Sequence, residues 1–170
     1  VTVILRDARP SDLGAIDRIE RASFGNPWPL DAYAQEIERD HGILEVASIR
    51  GEGIVGFSCA WHVADEAHLL RIATAPRFRR RGIGRDLLSA VVARARAAAC
   101  GRITLEVASA NGAAIHLYEA YGFAEIGRRS GYYRVPPDDA LVMRLEFTPV
   151  RSAASPAAEP PGQRWTPGSG

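Results

Sequence analysis

The stretch EAHLLRIATAPRFRRRGIGRDLL, Glu66 to Leu88, decides how the rest of the chain folds. The apolar run from Ala67 to Thr74 reads as a buried strand. Ala75-Pro76 breaks it, Arg79-Arg80-Arg81-Gly82-Ile83-Gly84 follows, and helical spacing begins at about Arg85. A strand leading into a basic, glycine-containing turn ahead of a helix can hold an anion. Free N–H groups of the first helical turn converge on it, the positive end of the helix dipole attracts it, and arginines add charge. Glycine lets the main chain come close, since no Cβ intervenes. The run lacks the Lys-Ser/Thr of a nucleotide-triphosphate loop, and its glycines are not spaced for a dinucleotide turn. The anion is therefore of another kind. Out of context, the hexapeptide reads equally well as a solvated helix cap; the strand before it and the helix after it favour the anion site.

Upstream, Gly42 to Ile49 and Ile54 to Val63 flank Gly51-Glu52-Gly53, a hairpin signature, and Asp65-Glu66 turns the chain into the Ala67 strand. Three neighbouring strands then form an antiparallel meander. Val1 to Ala8 reads as a first strand, and Pro10-Ser11-Asp12 offers a cap to a helix. That helix carries Leu13, Ile16, Ile19 and Glu20 at helical spacing and ends near Ser23 to Asn26. Pro27-Trp28-Pro29 interrupts it, and the pattern resumes from Leu30 through Tyr33 and Ile37 to about Arg39.

Downstream, the helix from Arg85 to about Ala99 presents Leu87, Leu88, Val91, Val92 and Ala95 on one face, and Gly101 stops it. Ile103 to Val107 is again a strand, so strand, helix, strand predicts a right-handed crossover and one parallel pair. Asn111 to Tyr121 is a short helix. Phe123 to Arg129 and Ala140 to Phe147 close the fold as an antiparallel pair, joined by a loop carrying Tyr132 and Tyr133. The expected class is α+β, with a mixed, mostly antiparallel sheet flanked by helices over residues 1–147. Residues 148–170 are rich in proline, alanine, serine and glycine without periodicity, and are expected to form a disordered tail without chemistry.

A chain of 170 residues suffices for one domain with a real core. Its 21 basic residues, all arginine, nearly balance 20 acidic ones. A net charge of +1 gives no global field toward nucleic acid or membrane, so an anion site must be local. Cys59 and Cys100 lack ligand spacing and read as reduced, partly buried thiols of a reducing compartment. With no signal-like start and no apolar run of about 18 residues, a cytoplasmic protein is expected. His41, His62, His68 and His116 show no metal spacing, and no serine sits in a nucleophile-elbow sequence.

Four positions stand out chemically. Glu106 interrupts an apolar strand that runs parallel to the Ala67 strand; it is either the solvent-side member of an alternation or a carboxylate facing a cleft, where it accepts a proton directly or through water. Tyr118 is either a core residue or, with Glu106 and the arginine turn, a general acid. Asn111 reads first as the cap of its helix and second as a ligand contact. Trp28, held between two prolines, either caps the core or forms a substrate-facing wall.

Together, Ile72-Ala73-Thr74-Ala75-Pro76 and the arginine-glycine run, Pro27-Trp28, Asp65-Glu66-Ala67, Leu105-Glu106-Val107, Asn111 through Ala114-Ile115 to Leu117-Tyr118-Glu119, Gly122-Phe123, Tyr132-Tyr133 and Asp139 to Met143 carry a resemblance. The chain resembles the GNAT acetyltransferase superfamily over residues 3 to 147. Within it, the chain is similar to the RimI-type enzymes, which acetylate the N-terminal alanine of a small-subunit ribosomal protein.

The resemblance implies splayed central parallel strands and acetyl-CoA as donor, released as CoA, with no metal. The pantetheine arm would pair as an extra strand beside Ile72, Ala73 and Thr74. The pyrophosphate would lie over the turn of Arg79, Arg80, Arg81, Gly82, Ile83, Gly84 and Arg85, with Asn111 and Tyr118 also touching the cofactor. Glu106 would be the base and Tyr118 the acid for the departing thiolate, in direct transfer within a ternary complex. Trp28, Tyr132 and Tyr133 would bound a shallow acceptor pocket. The implied partner is a protein N-terminus, with neither nucleic acid nor membrane involved and a monomer as the working expectation. Other acceptors on the same fold, such as lysines, small amines or a wider set of N-termini, stay open at this point, as does a catalytically silent module that binds acetyl-CoA.

Overall fold

A computed structural model of the protein describes residues 1–147, so the expected tail lies outside the described residues. Seven strands form one sheet in the order β1-β2-β3-β4-β5-β7-β6. In chain order the elements are β1 (Val3–Asp7), α1 (Leu13–Ser23), α2 (Leu30–Glu38), β2 (Gly42–Ile49), β3 (Gly53–Val63), β4 (Glu66–Thr74), α3 (Ile83–Ala97), β5 (Arg102–Ala108), α4 (Gly112–Ala120), β6 (Ala124–Arg134) and β7 (Pro137–Glu146). Every neighbouring pair is antiparallel except β4 and β5, which α3 connects. The α+β class, the meander and the parallel pair joined through a helix are as expected.

Ile16 and Ile19 of α1 and Tyr33 of α2 pack against Leu44, Val46, Phe57 and Cys59 on one face of the sheet. Leu88, Val91 and Ala95 of α3 and Tyr118 of α4 pack with Leu69, Ile103, Leu105 and Met143 on the other. Full burial of such a leucine or isoleucine is worth about 1.5–3 kcal/mol, which is what orders these helices on the sheet. Cys59 and Cys100 are free, buried thiols. Among the described residues no helix is long and apolar enough to cross a membrane.

Three expectations need correction. Asp12 does not cap α1: its carboxylate turns back to accept from the Arg6 guanidinium at 2.7 and 2.9 Å and from the Arg9 N–H at 2.8 Å. The helix α3 starts at Ile83, so Ile83 and Gly84 belong to its first turn. Most visibly, Tyr132 and Tyr133 are not in a loop, because β6 runs on to Arg134 and β7 begins at Pro137. Asp139 accepts the Gly131 N–H at 2.8 Å, which turns the glycine into a bulge rather than a strand end.

Candidate active site

The parallel ladder between β4 and β5 is short. It runs from Glu66 opposite Arg102 to Leu69 opposite Leu105 and stops there. Beyond that point β4 continues to Thr74 paired only with β3, while β5 continues to Ala108 paired only with β7. The cause lies in β4: Arg71 faces Cys59 and Leu69 faces Ala60, so Leu70 is an extra residue, a bulge that bends the strand away. Its signature is that Leu70 and Arg71, though consecutive, both contact the α1/α2 side. The result is a gap with a one-sided strand edge, Ile72 to Thr74, available to an extended ligand in the way a sheet edge accepts a peptide.

At the end of that edge the chain builds the anion turn. Arg80 (φ 61°) and Gly82 (φ 84°) both adopt left-handed backbone, and Gly82 stands at the N-cap of α3 without any side-chain cap. The Asp86 N–H bonds to the Gly82 carbonyl at 3.0 Å, so the N–H groups of Ile83, Gly84 and Arg85 precede the first intrahelical bond and have no helical acceptor. A Cβ on Gly84 would lie 3.7 Å from Leu117 and 3.8 Å from the Thr74 hydroxyl, which shows that the start of α3, the end of β4 and α4 meet here. The arginines divide their work. Arg79 braces the turn from within, donating to the Thr74 carbonyl and to the Ser23 hydroxyl, each at 3.2 Å. Arg81 lies over the Phe78 ring at 5.3 Å, and Arg80 and Arg85 are exposed. Asn111 caps α4, its Oδ1 accepting from the Ala114 N–H at 3.2 Å, which leaves its amide nitrogen as a donor. Free N–H groups and exposed cations thus stand beside an open strand edge, a donor set whose chemistry suits an anionic group on an extended ligand.

Two titratable groups approach the gap from opposite faces. Leu105 and Val107 point to the α3/α4 core, so Glu106 between them points to the other face, with its side chain 20% exposed. Tyr118 comes from the α3/α4 side, 5% exposed, its ring 5.7 Å from that of Phe123. Burial pushes its phenol far above the usual tyrosine value, and the charge of Tyr133 adds to the shift. Tyr133 is itself raised, first by burial and then by Tyr132 and Glu106, while Arg71 opposes the shift. Glu106, Tyr118 and Arg71 are thus each within electrostatic reach of Tyr133.

The far wall is the segment between α1 and α2. Glu20 is 0% exposed, accepts from the Trp28 N–H at 2.9 Å and the Tyr33 hydroxyl at 2.6 Å, and pairs with Arg71 at 3.3 Å. The Arg71 guanidinium also stacks on Phe24 at 4.1 Å and Trp28 at 4.8 Å, and donates to the Asn26 carbonyl. Trp28 caps the core: one side packs on Tyr33, with centroids 5.4 Å apart, and the ring stays half-buried. A Cβ on Gly25 would fall 2.3 Å from the Val135 carbonyl, so this segment touches the β6–β7 turn and only glycine fits. Tyr133 is half-buried while Tyr132 is 49% exposed. Sequence reading did not single out Glu20 and Arg71, which anchor this segment; a glutamate on the apolar face of a helix and an arginine inside an apolar strand were the available signals.

A gap between two diverging strands, closed at one end by an uncapped helix start and flanked by a carboxylate and a phenol, is the frame on which the comparisons with known proteins bear. The model of the acetyltransferase (GNAT) family matches residues 13–123. The chain belongs to that family. It is an N-acetyltransferase. It is similar to the [ribosomal protein bS18]-alanine N-acetyltransferase of Escherichia coli K12, at 32% identity over 140 residues, covering 81% of this chain and 93% of the relative. The N-alpha-acetyltransferase RimI of Mycobacterium tuberculosis is 33% identical over 154 residues, covering 82% and 95%. The crystal structure of the Escherichia coli ribosomal-protein-S18-alanine N-acetyltransferase superposes with a TM-score of 0.78 at 30% identity, over 85% of this chain and 94% of that one.

Proposed function

We propose that this N-acetyltransferase transfers the acetyl group of acetyl-CoA to the N-terminal α-amine of a protein, with the N-terminal alanine of a small-subunit ribosomal protein as acceptor. The observation that carries the reading is the placing of Glu106 and Tyr118 on opposite faces of the gap that opens past Leu69 and Leu105. The relatives, a [ribosomal protein bS18]-alanine N-acetyltransferase and an N-alpha-acetyltransferase, support the choice of acceptor.

Acetyl-CoA, when bound, supplies the acetyl group as an activated thioester. The free edge of β4 at Ile72 to Thr74 pairs its extended arm. The N–H groups of Ile83, Gly84 and Arg85, with the Arg80 and Arg85 guanidinium groups, hold its diphosphate, and the Asn111 amide donates alongside. A main-chain N–H of the opened β4 edge faces the carbonyl oxygen on which negative charge develops. Glu106 takes the proton of the acceptor amine through a water, and the Tyr118 hydroxyl, kept protonated by burial, gives one to the departing sulfur.

The size of the base's task favours an α-amine. With a pKa of about 8, roughly a tenth of α-amines are uncharged at pH 7, whereas a lysine at about 10.4 costs about 3 kcal/mol more to deprotonate. A partly buried carboxylate acting through water is sufficient for the first.

The test is a panel of short peptides with different first residues, including an acetyl-blocked peptide with an internal lysine, read by release of free CoA. The expected result is preference for the alanine-initiated peptide and no transfer to the blocked one. Preferential transfer to lysine or to small amines would refute the acceptor, and release of no CoA with any amine would refute the activity.

A further inference from the structure

Glu106 is not free in the resting protein: its Oε1 lies 3.3 Å from Nη2 of Arg129. The two residues sit on strands that are not neighbours, since β7 runs between β5 and β6. Glu106 is opposite Val142 and Val142 is opposite Gly127, so Glu106 and Gly127 point to the same face, and Arg129, two residues on, shares it. At Gly127 of β6 a Cβ would meet only open space. Two strand spacings and a two-residue offset put the pair about 12 Å apart at Cα, so both side chains must extend almost fully to meet. Arg129 also lies 5.8 Å from the Tyr132 ring, which limits where its guanidinium can go.

Such a contact does little for stability. The Arg129 side chain is 57% exposed, and an ion pair in that setting contributes about 0–1 kcal/mol while ordering two long side chains. What it does is fix where a carboxylate stands. We infer that Arg129 is a positioning residue for the transfer reaction: by engaging the carboxylate from across β7 it holds Glu106 in one rotamer at the mouth of the gap, where it takes the acceptor's proton. The inference rests on the reading of Glu106 as the base.

The experiment compares the full chain with Arg129→Gln, Arg129→Lys, Glu106→Gln and the Glu106→Gln/Arg129→Gln double variant, using an alanine-initiated peptide and acetyl-CoA. Arg129→Gln is expected to lower kcat about tenfold, as loss of orientation does, with KM for acetyl-CoA and the melting temperature unchanged. Arg129→Lys, which keeps a charge at slightly shorter reach, recovers part of the loss. In the Glu106→Gln background the Arg129 change alters kcat less than about twofold, because the group it orients is gone. An equal loss in both backgrounds, or a raised KM for the peptide at unchanged kcat, would overturn the positioning role in favour of direct acceptor contact. Wild-type kcat in Arg129→Gln beside a crippled Glu106→Gln would overturn this inference alone; wild-type kcat in Glu106→Gln would remove the base and the inference together.

Discussion

Replacing Tyr118 with Phe separates catalysis from folding more cleanly than any other change at this site. The ring is 5% exposed and packs among Leu105, Val107, Phe123 and Met143, and phenylalanine fills the same space. Burial and the charge of Tyr133 account for the perturbation of its hydroxyl, and no hydrogen bond to it contributes among the described residues, so none of those is lost. The stability change is therefore below about 0.5 kcal/mol, which for a domain of this size moves Tm by less than about 2 °C. The catalytic loss is of another order. Removing a positioned general acid lowers kcat by about 10²–10⁴, or about 3–5.5 kcal/mol of transition-state stabilisation. Because burial raises the phenol above its usual value, the hydroxyl stays protonated wherever an amine is nucleophilic, so wild-type kcat should show no decline attributable to this group up to pH 10. Steady-state thiol release with an alanine-initiated peptide gives kcat, calorimetry gives the affinity for acetyl-CoA, and thermal unfolding gives Tm. A variant that turns over like the wild type removes Tyr118 from the acid role; one that loses activity in proportion to a several-degree fall in Tm shows that the hydroxyl is structural.

Glu20→Ala should destabilise the fold by about 3–5 kcal/mol, since it strips the Arg71 guanidinium of its counter-charge and the Tyr33 hydroxyl of its acceptor in a buried setting. A loss below about 1 kcal/mol in urea unfolding would show that the pair is not a unit. Asp12→Asn tests a pH dependence. The hydrogen bond from Arg6 is the main cause holding the Asp12 carboxyl below its ordinary value of 3.8, ahead of the opposing effect of burial. A group lowered on folding contributes stability that is present above its unfolded pKa and disappears as pH falls through the folded one. The Tm gap between wild type and variant should thus be constant near neutrality and close in acid, below the unfolded value; a gap independent of pH down to 2.5 would refute the assignment.

Most of the architecture was legible because it rests on local pattern. Leu87, Leu88, Val91 and Ala95 mark the buried face of α3 by spacing alone, and a helix between two apolar strands leaves little choice but a crossover. Where pattern failed, a side chain distant in sequence had decided the backbone. Gly131 and Pro136-Pro137 look like strand breakers, but the carboxylate of Asp139 across the hairpin takes the Gly131 N–H and the strand continues. The bulge at Leu70 has no turn residue to announce it. Its only trace is Arg71, a charge that arrives in an apolar run where strict alternation would bury it on the wrong face.

That trace links the legible part of the site to the hidden part. Glu106 was conspicuous because a carboxylate in an apolar strand needs a reason. Glu20 had the same claim from its place beside Ile16 and Ile19, since a charge on a buried helix face requires a partner. Spacing could not say which of 21 arginines would supply it. The partner is the arginine beside the bulge, and this has a mechanical consequence. If Leu70 were not an extra residue, Arg71 would point toward α3, and Glu20 would be left buried without a counter-charge. The ion pair thus favours the bulged register over the regular one, and the bulged register ends the β4–β5 ladder at Leu69. The opening of the sheet and the seating of the Trp28 segment thus meet in the Glu20–Arg71 pair between α1 and β4, which no local reading of either segment contains.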